Sequence, residues 1–339
     1  MKICLHQDLG LYKHIGGADN VGGGFISAVL NQKKMFARLN IPYTEKWHDD
    51  WDILQVNIPW PNSLFHILQA KKRGKKVTMW AHVTVEDLET TLKVFKIIPG
   101  ISWLFRKYLA YAYSLPDIVF CPSEYTRNIL LAYHLDPKKI ITQSNGVDLK
   151  KFYKDSVGRE ECRKKYNLDG LAIGTLAVVI YRKGIDTFFK LSQNFPQNNF
   201  IWIGKIFNKV FFQGLKAETP KNMQFAGYVN DVNSALNAID VFLFPSYAEN
   251  EGMAILEAGA IGLPMLVRDL PAYEGWLIHN ENCLKAKNDT EFIEYLNLLL
   301  TDETLRLRLG EKAFEMAQKA DIEILTEKLK KIYNDLLSK

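Results

Sequence analysis

Short runs of consecutive apolar residues recur along the chain, separated by stretches in which apolar positions return every three or four residues. The first pattern marks strands buried on both faces of a parallel sheet, and the second marks the helices that cover them. In the first half the strand pattern falls on Lys2–Gln7 (KICLHQ), Ile53–Ile58, Val77–Val83 (VTMWAHV) and Asp117–Ser123 (DIVFCPS). In the second half it falls on Leu171–Ile180, Asn199–Gly204 (NFIWIG), Met223–Tyr228 (MQFAGY), Asp240–Pro245 (DVFLFP), Met265–Arg268 and Cys283–Ala286. Helices are expected over about Phe25–Leu39, Asn62–Arg73 and Glu124–Tyr133, directly after Gly184, and over most of Thr290–Leu337. Between Glu86 and Ser114 two helices are split by Pro99-Gly100, a stop signal. The alternation predicts an α/β protein.

One stretch concentrates the candidate chemistry. From Phe244 to Pro264 (FPSYAENEGMAILEAGAIGLP) a buried strand gives way to turn residues and then to an apolar helix, with Glu249 before the helix and Glu257 two turns along it. The N–H groups of Asn250, Glu251, Gly252 and Met253 then lie at a helix N-terminus, where the dipole favours an anion such as a phosphate. Residues eight apart on a helix differ by roughly 80° in rotation and about 12 Å in rise, so the two glutamates grip different ends of a long ligand rather than one atom. Taken alone, the pair also reads as a cap and a chance surface residue.

Other loops add to this. Gly16, Gly17, Gly22, Gly23 and Gly24 follow the first strand and let backbone approach a ligand, without the G-x-G-x-x-G spacing of a dinucleotide fingerprint. Arg182 and Lys183 stand at a strand-to-helix junction and suit a diphosphate, the arginine as a fork and the lysine as a point charge. His82 ends a strand beside Thr84, Glu86 and Asp87, at the end of the sheet where open α/β folds place ligands. Asp50 and Asp52 form a D-x-D pair that reads as a surface cap on the next strand rather than as a metal site.

The spacing Glu249-x7-Glu257, followed by Ala258, Gly262 and Pro264, resembles the family 4 glycosyltransferases, and the likeness runs nearly the whole length. It implies two facing Rossmann-like domains with parallel sheets and a donor cleft between them (the GT-B fold). It also implies retaining, metal-independent transfer from a nucleotide-sugar, with UDP-glucose or UDP-galactose as donor and no cofactor. Ser144-Asn145-Gly146 matches the family's turn at the interdomain crossing, with Phe152 the apolar residue beyond it, dividing the chain into 1–150 and 151–339. The last helix is expected to pack back on the first domain. By the resemblance, His82 meets the donor sugar near its reactive carbon, Glu249 holds sugar hydroxyls, and Glu257 holds the ribose. Lys183 and Arg182 stabilise the departing diphosphate with the N–H groups of Asn250–Met253. The loop at Tyr228 and Val229 contacts the base, and Gly23 and Gly24 face the donor phosphates. The family's common form places its arginine about five residues before the lysine. That position is Val178 here, and Arg182 is adjacent instead.

With 47% hydrophobic and 24% charged residues over 339 positions, the chain has the profile of a two-domain globular protein. Cys4, Cys121, Cys162 and Cys283 lack C-x-x-C spacing and read as reduced structural thiols. No uncharged apolar run spans a membrane, and the N-terminus lacks a signal-peptide core, which points to the cytoplasm. The net charge of +5 is uneven, because residues 1–154 hold 21 Lys+Arg against 13 Asp+Glu. Solvated lysines explain such an excess by default. Here it coincides with two amphipathic helices, in which Lys93 and Lys96 oppose Leu92, Val94, Phe95 and Ile98, and Arg106 and Lys107 accompany Trp103, Phe105, Tyr108 and Tyr111. Aromatic and basic helices of this kind lie in a membrane interface, although their apolar faces also suit the sheet beneath.

Within the family, FLFPSYAENEG, the adjacent Arg-Lys-Gly and the segment Ala81–Asp87 look like Gram-positive synthases of glycosyl-diacylglycerols. The expectation is therefore a peripheral enzyme on the inner face of the cell membrane, adding a hexose to a lipid acceptor such as monoglucosyl-diacylglycerol, with no nucleic-acid partner. Alternatives are a hexosyltransferase for a capsule or cell-wall acceptor, and a non-catalytic scaffold of the same fold.

Overall fold

The computed structural model describes residues 1–7, 24–91, 94–206 and 219–338. Two six-stranded sheets organise them. The first joins β1 (Ile3–His6), β2 (Tyr43–Thr44), β3 (Ile53–Val56), β4 (Lys76–Trp80), β5 (Ile118–Cys121) and β6 (Ile140–Thr142) in the order β2-β1-β3-β4-β5-β6. The second joins β7 (Ala172–Leu176), β8 (Asn199–Ile203), β9 (Met223–Gly227), β10 (Val241–Phe244), β11 (Met265–Arg268) and β12 (Leu284–Ala286) in the order β12-β11-β10-β7-β8-β9. Every described strand pairing is parallel. This is the expected α/β fold of two Rossmann-like sheets.

The apolar runs form strands here because both faces of each sheet are covered. Along β10, Val241 and Leu243 enter one core while Phe242 and Phe244 enter the other, as the two-residue period of a strand requires. Along β4, Val77 and Met79 pack on one side and Trp80 on the other. Strand β2 has only two residues, too few for any periodic pattern, and the sequence reading passes over it.

The second sheet has the doubly wound order, which reverses between β7 and β10. At such a reversal the loops leaving the strands diverge to opposite faces, and a crevice opens between them. The loops after β7 and β10 therefore flank one crevice, and they are the loops that carry Arg182, Lys183 and Glu249.

The chain crosses between the sheets twice. Val147 bridges Asp321, with Val147 N–H donating to Ala320 O at 2.9 Å and Ile322 N–H to Val147 O at 3.0 Å. The helix Ile322–Leu337 then lies on the first sheet, where Ile322, Leu329 and Tyr333 are fully buried beside Leu5, Phe36, Trp80 and Phe120. Gly146 makes the double crossing possible. Its φ of 72° is left-handed, and an added Cβ would stand 2.8 Å from both Ile322 Cγ2 and Leu325 Cδ1, so strain and overlap exclude a side chain.

Candidate active site

Past β7 the backbone makes a single tight turn, Tyr181–Lys183, and enters the helix Ile185–Asn194 through Gly184. Gly184 sits at φ 77°, and a Cβ there would come within 2.2 Å of Pro245 O. Only glycine lets the two loops touch. Tyr247 N–H donates to Arg182 O at 2.8 Å, and Ser246 Oγ lies 3.2 Å from the same oxygen. Buried Arg268 supports this corner from behind, donating to Pro245 O at 3.1 Å and stacking 4.1 Å from the centre of the Tyr247 ring. An arginine closing the apolar strand MLVR was the sequence signal for that support.

The stitched loops bring two predicted residues into contact. Lys183 Nζ lies 2.5 Å from Glu249 Oε1, with side chains only 14% and 8% exposed. Ser246 Oγ donates to the same carboxylate oxygen at 2.6 Å. Burial pushes the Glu249 carboxyl upward, but Lys183 and Arg182 outweigh it and hold the group below its ordinary value. Burial lowers the Lys183 ammonium, and Glu249 opposes the drop only in part. Beside them, Arg182 donates to Ala248 O at 2.8 Å and reaches across the crevice to Asp87 Oδ1 at 2.7 Å. Asp87 is raised by burial, which Arg182 does not fully offset. Four charged side chains thus meet at the crevice, two of each sign.

The first domain grips the following loop. Asn250 Nδ2 donates to His82 O at 3.0 Å, and Asn250 O accepts from Ser123 Oγ at 2.5 Å. Gly252 then opens the helix Met253–Ile261 at φ 92°, and no side chain caps its first turn. An added Cβ on Gly24, the first residue of the helix Gly24–Arg38, would stand 3.8 Å from Met253, so two helix N-termini face each other across the crevice. His82, two residues beyond the end of β4, stacks 5.9 Å from Trp80 and meets Phe25 edge-on at 5.4 Å. Burial lowers its imidazole to about 4, so the ring is neutral at physiological pH. Its buried Nε2 has no hydrogen-bond partner among the described residues.

Other predicted residues are placed apart. Glu251 turns its side chain away to accept from Asn145 N–H at 3.1 Å and Asn145 Nδ2 at 2.7 Å, which locks the interdomain crossing to the active-site loop. Glu257 is buried against Ser27 of the opposing helix, and burial pushes its carboxyl up to about 7 despite Lys151 and Ser27. Tyr228 is 59% exposed and Val229 half-buried at the end of β9, two strands from β7. Arg106 pairs with Glu86 at 3.3 Å, and Lys107 lies over the Trp103 ring at 5.8 Å. Gly23, Lys93 and the Lys96 side chain fall outside the described residues. Asp52 Oδ2 accepts from Lys2 N–H at 2.7 Å, and Asp50 is 99% exposed. The sequence reading left the side-chain roles of Asp87, Ser123 and Glu251 undrawn, since each faces the opposite domain.

Two parallel sheets, a crevice at the strand-order reversal, and a buried lysine–glutamate pair beside a helix N-terminus make up the candidate site. The chain belongs to the two-domain glycosyltransferases. Residues 19–151 match the model for Glycosyltransferase Family 4, and residues 158–316 match that for Glycosyl transferases group 1. It is 29% identical over 324 residues to a processive diacylglycerol alpha-glucosyltransferase of Acholeplasma laidlawii, an alignment covering 93% of this chain and 94% of that enzyme. It is 28% identical to the alpha-galactosylglucosyldiacylglycerol synthase of Streptococcus pneumoniae, over 71% of this chain and 66% of that one. Its fold superposes on the crystal structure of Anabaena HepE in complex with UDP and glucose with a TM-score of 0.81, at 13% identity, over 99% of this chain and 100% of that one.

The Glu257 carboxyl gives a pH test. Its folded-state value of about 7 lies above the ordinary 4.5, so the folded chain holds this proton more tightly than the unfolded chain. Stability from this group is therefore present at low pH and is lost as pH rises through that window, levelling above it. Urea unfolding of Glu257→Gln and wild type at pH 5, 6, 7 and 8 should show the variant gaining on wild type up to about pH 7 and then holding steady. A constant difference would show that the carboxyl titrates normally.

Proposed function

We propose that the protein is a retaining, metal-independent hexosyltransferase that moves a hexose from UDP-glucose or UDP-galactose to a glycolipid in the cytoplasmic leaflet, with monoglucosyl-diacylglycerol as acceptor and diglycosyl-diacylglycerol as product. The observation that carries the donor half is the buried Lys183–Glu249 pair beside the uncapped helix at Met253. A leaving diphosphate gains negative charge as the glycosidic bond breaks. Lys183, Arg182 and the N–H groups of Asn250–Met253 are fixed in advance where that charge develops, which stabilises the transition state more than the ground state. Fixed cations of this kind do the work of a metal. Glu249 orients sugar hydroxyls, neutral His82 offers a nitrogen to the sugar without adding charge, and Glu257 takes the ribose. The Tyr228–Val229 loop receives the base. With no carboxylate assigned as a nucleophile, the acceptor enters on the face that the diphosphate leaves, through an oxocarbenium-like transition state.

The acceptor half rests on the two synthases named above and on the surface of the first domain. Phe65 and Leu68 on the helix Pro61–Lys72 are 56% and 48% exposed, and Trp103, Leu104 and Tyr111 on the helix Ile101–Ser114 are 64%, 61% and 53% exposed. The helices are neighbours, since Tyr108 O–H donates to Pro59 O at 2.6 Å and Lys71 Nζ to Leu115 O at 2.7 Å. Ile97 and Ile98 add to the exposed apolar side chains just before the second helix. Lys71, Lys72, Arg73 and Lys107 lie on or directly after the same two helices, and exposed apolar side chains with basic neighbours are of the kind that enters an interface. Among the described residues no helix is long and apolar enough to cross a membrane.

For the donor site, Glu249→Gln should lower turnover of the UDP-sugar about 100-fold while leaving UDP binding nearly intact. Glu257→Gln should weaken UDP binding about tenfold, roughly 1.4 kcal/mol, with a smaller loss of turnover. EDTA should leave the wild-type rate unchanged. Calorimetry and UDP-release assays check all three, and variants that bind and turn over like wild type would contradict the assignment.

For the acceptor site, liposome sedimentation should rise with anionic lipid and fall with salt, because surface charges are screened over about 8 Å at physiological ionic strength. The double variant Trp103→Ser, Leu104→Ser should lose vesicle binding and transfer to lipid while keeping UDP-sugar hydrolysis. Unaltered sedimentation would assign these residues to the surface alone.

A further inference from the structure

Arg182 does not occupy the position that the family's common pattern gives its arginine, and the backbone around it explains what it needs. It shares the one-turn Tyr181–Lys183 helix with Lys183. In a turn of three residues, neighbouring side chains leave the axis about 120° apart. Lys183 points at Glu249, so Arg182 starts in a different direction and must be bent back to serve the same crevice. Two partners do this. Ala248 O holds one guanidinium nitrogen at 2.8 Å, and Asp87 Oδ1 stands 2.7 Å from the same nitrogen. The first comes from the loop of Glu249, the second from the opposite domain.

Asp87 is itself held firmly. Its N–H donates to Thr84 Oγ1 at 3.2 Å, in the first turn of the helix Val85–Thr91. The neighbouring Val85 N–H donates to Tyr133 O–H at 3.0 Å, and that hydroxyl donates to Glu86 Oε2 at 2.8 Å. Arg106 closes the other side of Glu86. Of two consecutive carboxylates, one anchors the short helix to its own domain and the other projects, 20% exposed, into the crevice toward Arg182. A solvated surface acid has neither the anchoring nor the partner.

Resting on the donor reading above, we propose that Asp87 is a positioning residue that bends the Arg182 guanidinium onto the diphosphate site from across the domain boundary. Asp87 makes no contact with the reacting atoms in this role. It sets where the arginine's charge stands when the leaving group departs, so its loss lowers turnover more than ground-state binding of UDP. The loop that supplies Ala248 is tied to the domain of Asp87 as well, through Asn250 to His82 and Ser123.

The test uses the full-length protein, UDP calorimetry and UDP-sugar turnover. Wild type should bind UDP. Asp87→Asn should lower kcat about 10- to 100-fold, the scale expected for a misplaced catalytic group, with the UDP dissociation constant changed less than about threefold. Asp87→Glu should recover part of that loss. In an Arg182→Gln background, adding Asp87→Asn should cost nothing further, because both changes remove one function. The exchanged pair Asp87→Arg, Arg182→Asp rebuilds an ion pair across the crevice but turns a carboxylate toward the diphosphate, and should remain inactive. Restored activity in the exchanged pair, or additive losses in the double variant, would overturn the positioning role. An Asp87→Asn enzyme with wild-type kcat would do the same. If wild type bound no UDP, the donor reading itself would fall, and this assignment with it.

Discussion

The buried ion pair between Lys183 and Glu249 is the contact on which the site depends. Two opposite charges about 4 Å apart attract by about 4 kcal/mol at the effective dielectric of a protein, yet each gives up hydration to be there. Such a pair does little for stability, and removing one partner alone is costly, by about 3–5 kcal/mol. It is kept where charge must be held ready. Here Glu249 offsets part of the burial that lowers the basicity of Lys183, and Lys183 with Arg182 holds the Glu249 carboxyl below its ordinary value against the burial that raises it. A second pair, Asp87 with Arg182, faces it across the crevice, where burial still leaves the Asp87 carboxyl above its ordinary value. The four side chains are two of each sign, and in the proposed function a diphosphate takes the place of Glu249 as the partner of Lys183.

Everything that brings the pair together follows from backbone geometry. The reversal of strand order puts the loops after β7 and β10 side by side, and Gly184 lets them touch. Asn250 and Glu251, adjacent in sequence, then tie this loop to the other domain in two directions, one toward His82 and one toward Asn145 at the crossing. Asn31 donates to Asn145 O at 3.2 Å and Gly146 O at 2.7 Å, so the crossing is held from the first domain as well. The donor loop and the interdomain crossing are therefore one mechanical unit, and the helix Ile322–Leu337 completes it by returning to the first sheet.

Much of this was legible in the sequence because it rests on local signals. Continuous apolar runs located ten of the twelve strands' cores with small errors at their ends, and Arg182-Lys183-Gly184 and Glu249-x7-Glu257 located the two loops of the crevice. The reading ran Leu171–Ile180 as one strand. The structure ends β7 at Leu176 and spends the rest on the tight turn that aims Arg182 and Lys183. Contacts between domains were not legible. Asp87 looked like one of several acids in a polar turn, and Glu251 like another residue at a helix N-terminus, because nothing local distinguishes a carboxylate facing solvent from one facing the other domain. The helix Ile101–Ser114 divides in the same way: Leu109, Ala112 and Tyr113 face the core, and Trp103, Leu104 and Tyr111 face outward, a split its periodicity permits but does not orient.

The central claim is that the Lys183–Glu249 pair and the Met253 helix N-terminus form a seat for a diphosphate. A crystal structure of the protein with UDP tests it most directly. The account predicts diphosphate oxygens within hydrogen-bonding distance of Lys183 Nζ, Arg182 and the N–H groups near Met253, with the ribose against Glu257 and the Glu249 carboxylate released toward the sugar side. A diphosphate bound elsewhere, with the Lys183–Glu249 contact unbroken, would contradict it.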